Sequence, residues 1–186
     1  GEKSGLMPSS SWKLKNVHDQ WYTGDSLSVC IGQGYLTTTP LQIAAMYMVF
    51  ANHGTYFQPH IIKNDDIKGV KVDINDKNMK VIRKALWQVV NTRRGTAHKS
   101  RMTTEQWEMA GKTGTAQVVK QHLETLKKVA DTPRRFRDHA WFAAFAPFTN
   151  PEIAIAVLIE HGGHGGSTAA PIARQAVEFY LNKLES

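Results

Sequence analysis

Cysteine is nearly missing: Cys30 is the only one in 186 residues. An internal disulfide and a cysteine-cluster metal site are therefore both excluded. Long apolar runs are missing as well. No stretch of about 18 uncharged apolar residues occurs, so no segment of the sequence has the length and apolarity of a membrane-spanning helix. The opening residues, GEKSGLMPSSSWK, carry neither the apolar centre of a secretory signal nor the arginine pattern of a transit peptide. Internal repeats and low-complexity tracts are absent, and 7 Pro with 14 Gly are too few for a fibrous or linker-like chain. What remains, 41% apolar and 21% charged residues, is a globular balance. A compact chain of this size hides roughly 70% of its unfolded surface, enough for one sizeable core.

Acidic residues are also in short supply, which leaves a net charge of +7. The segment Val118–Arg137 holds six of the cations (Lys120, Lys127, Lys128, Arg134, Arg135, Arg137) against Glu124 and Asp131, more than half of the net excess. No RNA-binding signature or zinc-finger spacing accompanies the charge, so a solvated face is expected rather than a nucleic-acid surface. Leu123, Leu126 and Ala130 suggest a short amphipathic helix over 122–130, ended by Pro133. A connection of this length is usually functional or disordered. His161-Gly-Gly-His164 is the one close histidine pair. Set in a glycine run, it lacks the rigid backing that metal ligation needs and reads as a polar loop. No metal and no cofactor are expected.

Periodicity marks three helices. The first follows Thr39-Pro40, with Thr39 as N-cap, Gln42 completing a capping box, a stripe of Leu41, Ala44, Ala45, Met48 and Val49, and Gly54 closing it. The second spans about Asn75–Asn91 and buries Met79, Ile82, Leu86 and Val89. The third spans about Ala169–Leu184, with Ala173, Ala176, Val177, Tyr180, Leu181 and Leu184 on one stripe. Between the last two, Trp107–Gln117, Ala140–Ala146 and Ile153–Ile159 read as strands, the latter pair joined by the short connection Pro147–Pro151. Their nearly continuous apolar runs imply a sheet covered on both faces. The fold class expected is α/β of the α+β type, an antiparallel sheet with packed helices.

The chemistry concentrates in Met109-Ala-Gly-Lys-Thr-Gly-Thr-Ala-Gln117. On a strand, Thr113 and Thr115 share one face, where two hydroxyls could hold one anionic group. Gly114 would let a substrate backbone lie close. Lys112 adds a positive charge but must curl around the strand edge to join the threonines. Lys-Thr-Gly is a motif of penicillin-binding proteins and class A β-lactamases.

The resemblance extends along the chain. Gly24-Asp-Ser-Leu-Ser-Val-Cys-Ile-Gly-Gln-Gly-Tyr-Leu-Thr-Thr-Thr-Pro-Leu-Gln-Ile-Ala44, Arg94-Gly-Thr-Ala97, Ala110-Gly-Lys-Thr-Gly-Thr-Ala-Gln117, Trp141-Phe-Ala-Ala-Phe-Ala-Pro147 and Glu160-His-Gly-Gly-His-Gly-Gly-Ser-Thr-Ala-Ala-Pro171 stand in the family's order. They resemble blocks of the class B penicillin-binding proteins. Met7-Pro with Trp12-Lys13, and Asp138-His139, point to the elongation transpeptidases of Gram-negative rods. The resemblance implies that residues 1–186 are the C-terminal portion of a transpeptidase domain that cross-links peptidoglycan stem peptides through a serine acyl-enzyme. Lys112, Thr113, Gly114 and Thr115 would bind the terminal carboxylate of a stem peptide or a β-lactam. The Thr115 backbone N–H would serve the oxyanion hole, and Gly32, Gln33 and Gly34 would support the site. A glycan-strand polymerase and other elongation proteins are the implied partners, and the periplasmic face of the bacterial inner membrane is the implied location, with the anchor upstream.

One departure matters. The family's Ser-x-x-Lys nucleophile and its Ser-x-Asn or Ser-x-Asp motif are missing. Ser10-Ser-Trp-Lys13 fits the first by letters but matches a family segment downstream of both motifs. No apolar helix is expected there to bury the lysine and lower its pKa. The chain by itself is thus expected to be inactive. A serine D,D-carboxypeptidase or β-lactamase-like hydrolase shares the Lys-Thr-Gly strand and is the alternative, followed by a non-catalytic binding module.

Overall fold

The computed structural model describes residues 3–62, 66–118 and 133–185, which divide into two compact units, Gly1–Thr39 and Pro40–Ser186. The helix expected over 122–130 lies outside the described residues; after Pro133 the chain makes a short 3-10 turn, Arg134–Phe136.

The first unit contains two helices that periodicity does not announce, α1 (Ser10–Val17) and α2 (Thr23–Cys30). Ser9 caps α1 by accepting the Trp12 N–H at 3.1 Å, which satisfies one of the unpaired amides of a helix start. Leu6 and Thr37 exchange two main-chain hydrogen bonds, 2.8 and 3.0 Å, and tie the ends of the unit together. Its centre is polar. Lys13 on α1 is only 3% exposed, and its ammonium donates to Gln20 O at 2.9 Å and to Asp25 Oδ2 at 2.8 Å. Asp19 Oδ2 lies 3.0 Å away, and the Tyr22 ring faces the charge at 4.7 Å. The lysine is buried among polar partners rather than against an apolar helix face, and Gln20 O, Asp19 and Asp25 hold it as a charge.

The second unit begins with α3 (Pro40–Ala51), followed by a two-stranded antiparallel ribbon of β1 (Thr55–Tyr56) and β2 (Val70–Lys71). Then comes α4 (Asp76–Asn91), N-capped by the Asn75 side chain on Lys77 N at 2.9 Å. An antiparallel sheet in the order β3 (Ala110–Ala116), β4 (His139–Ala146), β5 (Ile153–Ile159) follows, and α5 (Ala169–Glu185) closes the chain. The strand expected from Trp107 starts only at Ala110, because Glu105–Trp107 turns as a 3-10 helix first.

Alternation along β4 builds the core on both faces. Ala140, Phe142, Ala144 and Ala146 pack with Ala173, Val177 and Leu181 of α5, while Ala143 and Phe145 pack with Tyr47 and Ala51 of α3 and Leu86 of α4. That is the period of two expected for a strand covered on both sides. Two stripes differ from expectation. On α3 the buried residues are Tyr47, Val49 and Ala51, and Leu41 stands 47% exposed. The helix is apolar nearly all round, so composition does not select its inner face. On α5, Ala176, Tyr180 and Leu184 face outward. Between these layers sits Arg83, buried on α4, whose guanidinium donates to Phe50 O, to Ala51 O at 3.1 Å and to Phe148 O at 2.7 Å. The Phe145 and Phe148 rings flank it at 4.7 and 5.1 Å. Burial alone lowers its pKa.

Candidate functional site

The Lys-Thr-Gly segment occupies β3, where Thr113 pairs with Phe142, Gly114 with Trp141 and Thr115 with Ala140 of β4. Among the described residues β3 has no strand on its other edge. Thr113 Oγ1 lies 2.8 Å from Thr96 Oγ1. Thr96 reaches it because the chain turns sharply after α4, where Gly95 N–H bonds Thr92 O at 2.9 Å and Ala97 N–H bonds Val89 O at 3.1 Å. The Gly-Thr-Ala segment is thereby set against the Lys-Thr-Gly strand.

The third wall is the loop after β5. A side chain at Gly165 would come within 2.1 Å of Trp141 O and 2.6 Å of Gly114 O, and one at Gly166 within 2.3 Å of Thr96 O. These two positions require glycine because backbone lies on backbone. The space that Gly114 itself leaves is taken by Trp141, whose Cβ would be 3.1 Å from a Cβ there; the small residue serves packing across the sheet.

Together these walls enclose an open cleft of about 660 Å³. Thr96, Thr113, Thr115 and Ser167 supply hydroxyls to it, Arg93 and Lys99 supply positive charge, and no carboxylate stands among the described residues that line it. Hydroxyl donors with cations and no competing acid suit an anionic group. Arg93 and Lys99 escaped the sequence reading, since exposed cations in a loop carry no signal of their own. Their position beside the Gly-Thr-Ala segment was the available clue. Lys112, by contrast, is exposed and donates from Nζ to the carbonyl of Thr113 at 2.9 Å. It folds back along its own strand and is not among the residues lining the cleft, so it is not brought to the threonine hydroxyls. A second cleft, about 800 Å³ and walled by Trp87, Glu108 and Arg174, shares His98 and Lys99 with the first.

Gly32, Gln33 and Gly34 lie in the first unit, in the turn that ends α2. Gly32 and Gly34 take φ of 74° and 73°, and the N–H of Gln33 returns to Ser28 O at 2.8 Å. Ser10 is the exposed first residue of α1. Hydrogen bonding to Asp25, then to Asp19, raises the Lys13 pKa against the opposing effect of burial. Lys13 correspondingly lowers both carboxyls. A lysine so held stays an ammonium at neutral pH and has no lone pair with which to take a proton from a serine. Among the described residues no group of three His, Cys, Asp or Glu side chains could hold a metal, and no helix is long and apolar enough to cross a membrane.

Comparison with known proteins matches residues 1–178 to the penicillin binding protein transpeptidase domain. The peptidoglycan D,D-transpeptidase MrdA of Haemophilus influenzae is 35% identical over 98% of this chain, and the chain spans 30% of that protein's length. Among solved structures, penicillin-binding protein PBP2 of Helicobacter pylori, in a complex with MreC, is 34% identical with a TM-score of 0.83, covering 99% of this chain and 32% of its own. Pseudomonas aeruginosa PBP2, in complex with WCK 5153, is 35% identical with a TM-score of 0.73 over 95% of this chain and 37% of its own.

Proposed function

The chain belongs to the penicillin-binding protein transpeptidase family, and on that footing we propose that it is the substrate-holding, C-terminal portion of a peptidoglycan D,D-transpeptidase of the elongation type. The observation that carries the reading is the cleft beside β3, with four hydroxyls, two cations and no lining carboxylate among the described residues.

In this reading the terminal carboxylate of a stem peptide, or that of a β-lactam, rests on the Thr113 and Thr115 hydroxyls, with Gly114 giving the strand its close packing. Lys112 adds its charge when the stem leaves the Thr113 carbonyl, and Arg93 and Lys99 add theirs from across the cleft. Charge-assisted bonds of this kind are roughly twice as strong as neutral ones. A serine, supplied with its lysine by a segment outside this sequence, attacks the carbonyl carbon between the two terminal D-alanines. The C–N bond breaks, and the terminal D-alanine leaves with a proton on its amine. An amine of a neighbouring stem peptide then attacks the ester, forms the cross-link and returns the serine. The Thr115 backbone N–H is one donor to the oxyanion formed at each attack, a contact worth about 3–4 kcal/mol. Gly32, Gln33 and Gly34 support the site rather than react. To the same proposal belong a glycan-strand polymerase and elongation proteins as partners, as the complex of Helicobacter pylori PBP2 with MreC encourages. A location at the periplasmic face of the inner membrane belongs to it too.

The test is acylation by a fluorescent penicillin in a form extended to include a Ser-x-x-Lys segment. Lys112→Ala and Thr115→Val should each slow it at least about tenfold, a loss of about 1.4 kcal/mol. Unchanged rates in both would end the assignment. Incubation with an amine acceptor should yield cross-linked product, whereas hydrolysis alone would favour a carboxypeptidase.

A further inference from the structure

His139 opens β4 opposite Ala116, at the far end of the Lys-Thr-Gly strand. Its ring meets that of His161, in the loop after β5, with centroids 4.8 Å apart and planes inclined at 60°. The main-chain N–H of His161 donates to His139 Nδ1 at 2.9 Å. A backbone amide can only donate, so His139 Nδ1 must be bare, and the ring is neutral with its hydrogen on Nε2. His161 has the opposite requirement. Its Nδ1 lies 3.1 Å from the carbonyl oxygen of Arg137, which can only accept, so that nitrogen carries a hydrogen. Two touching imidazoles thus have fixed and different protonation needs: His161 can gain a proton without losing its bond, and His139 cannot.

The bond sits where the loop needs it. His161 adopts φ of 56°, a left-handed conformation that a non-glycine residue holds only where its surroundings fix it. Further along, Gly163 N–H bonds Asp138 O at 2.9 Å, and the Thr168 hydroxyl bonds Gly162 O at 2.9 Å. Gly165 and Gly166 then lie against the backbone of Trp141, Gly114 and Thr96, forming one wall of the cleft. Among the described residues, the titratable groups next to His139 come from two places. His161 comes from the loop, and Asp138 and Arg137 from its own approach to β4. Asp138 has one carboxylate oxygen buried without a partner among the described residues, and β3 opposes His139 with Ala116, which does not titrate.

We propose that His139 is a positioning residue for the cleft: as a neutral Nδ1 acceptor it pins the loop 161–167 against β3, and protonation of that nitrogen releases it. A protonated His139 presents N–H to N–H, so a bond is exchanged for a repulsion. The hook stands whatever the cleft binds; only its effect on a carboxylate ligand rests on the proposed function.

Hydrogen exchange of the Gly162–Gly166 amides, corrected for intrinsic rates, tests this at about pH 8 and about pH 5, either side of the imidazole range. In the wild-type chain protection should fall roughly tenfold or more on acidification. His139→Asn places an amide oxygen where Nδ1 was and does not titrate, so it should keep the protection at both values. His139→Ala should lack it at both. Wild type and the Asn variant responding alike would overturn the proposal. Nitrogen-15 spectra of the wild-type imidazoles decide independently of any variant's folding. At about pH 8 they should show His139 with Nε2–H and His161 with Nδ1–H, and a hydrogen on His139 Nδ1 would overturn the proposal. Because no cleft ligand is used, failure here leaves the carboxylate reading untouched, and failure of that reading leaves the hook.

Discussion

Single residues here act by satisfying backbone or charge that has no other recourse. Arg83 supplies donors to three carbonyls from two segments, Phe50 and Ala51 at the end of α3 and Phe148 after β4. Arg83→Ala should destabilise the chain by about 3 kcal/mol or more, since each buried carbonyl left unpaired costs about 1–3 kcal/mol. Chemical denaturation would measure it, and a loss below about 1 kcal/mol would show that water replaces the guanidinium. Lys13 acts through charge. Its pKa is raised on folding while those of Asp19 and Asp25 are lowered. The carboxylates' share of stability is therefore fully present above their unfolded values near about pH 4 and is lost as pH falls through the lower folded ones. The lysine's share is present below its unfolded value near about pH 10 and is lost only above that. A flat thermal stability between these limits, dropping on acidification, is expected. Asp25→Asn should flatten the acid limb more than Asp19→Asn, because Asp25 is the less exposed partner, 18% against 43%. Equal acid limbs in wild type and both variants would remove this cluster from the pH response.

At the scale of elements, legibility followed the source of stabilisation. α4 and the β4–β5 pair hold their places by apolar periodicity, so Met79 and Leu86, or Phe142 and Phe145, announce them. α1 and α2 hold theirs by Lys13 reaching Asp19 and Asp25 across a turn, a pairing that no window of local hydrophobicity records. α3 was legible as a helix, but with Met46, Tyr47, Met48, Val49 and Phe50 in succession its buried face was decided by packing on β4 and β5. The Lys-Thr-Gly strand was legible as chemistry. The cleft around it was not, because Arg93, Lys99 and the loop at Gly165 arrive from elements distant in sequence. That loop is the element to test. Gly165→Ala would place a Cβ 2.1 Å from Trp141 O, an overlap that no rotamer relieves and that should cost about 1–3 kcal/mol or displace the loop. Crystallography of the variant with the wild-type loop position and unchanged stability would refute the packing described for this wall.

At the largest scale, the Lys-Thr-Gly strand lies in a chain that spans 30% of the Haemophilus influenzae relative's length. The only Ser-x-x-Lys by letters has its lysine locked to two aspartates. Incubated with a fluorescent penicillin, this chain alone should acquire no covalent label; an adduct at Ser10 found by mass spectrometry would reverse the reading of that segment. Its most direct test uses the chain as it stands. An acylated D-alanyl-D-alanine peptide and its C-terminal amide differ only in the charge that the cleft is proposed to hold. Titrated into the isotope-labelled chain and followed by NMR, the free carboxylate should shift the amides of Thr113, Thr115 and Gly165–Ser167. The amide should bind at least about tenfold more weakly, a difference of about 1.4 kcal/mol. Equal shifts from the two peptides, or shifts from the carboxylate that bypass Thr113 and Thr115, would contradict the assignment of this cleft as the carboxylate-holding site.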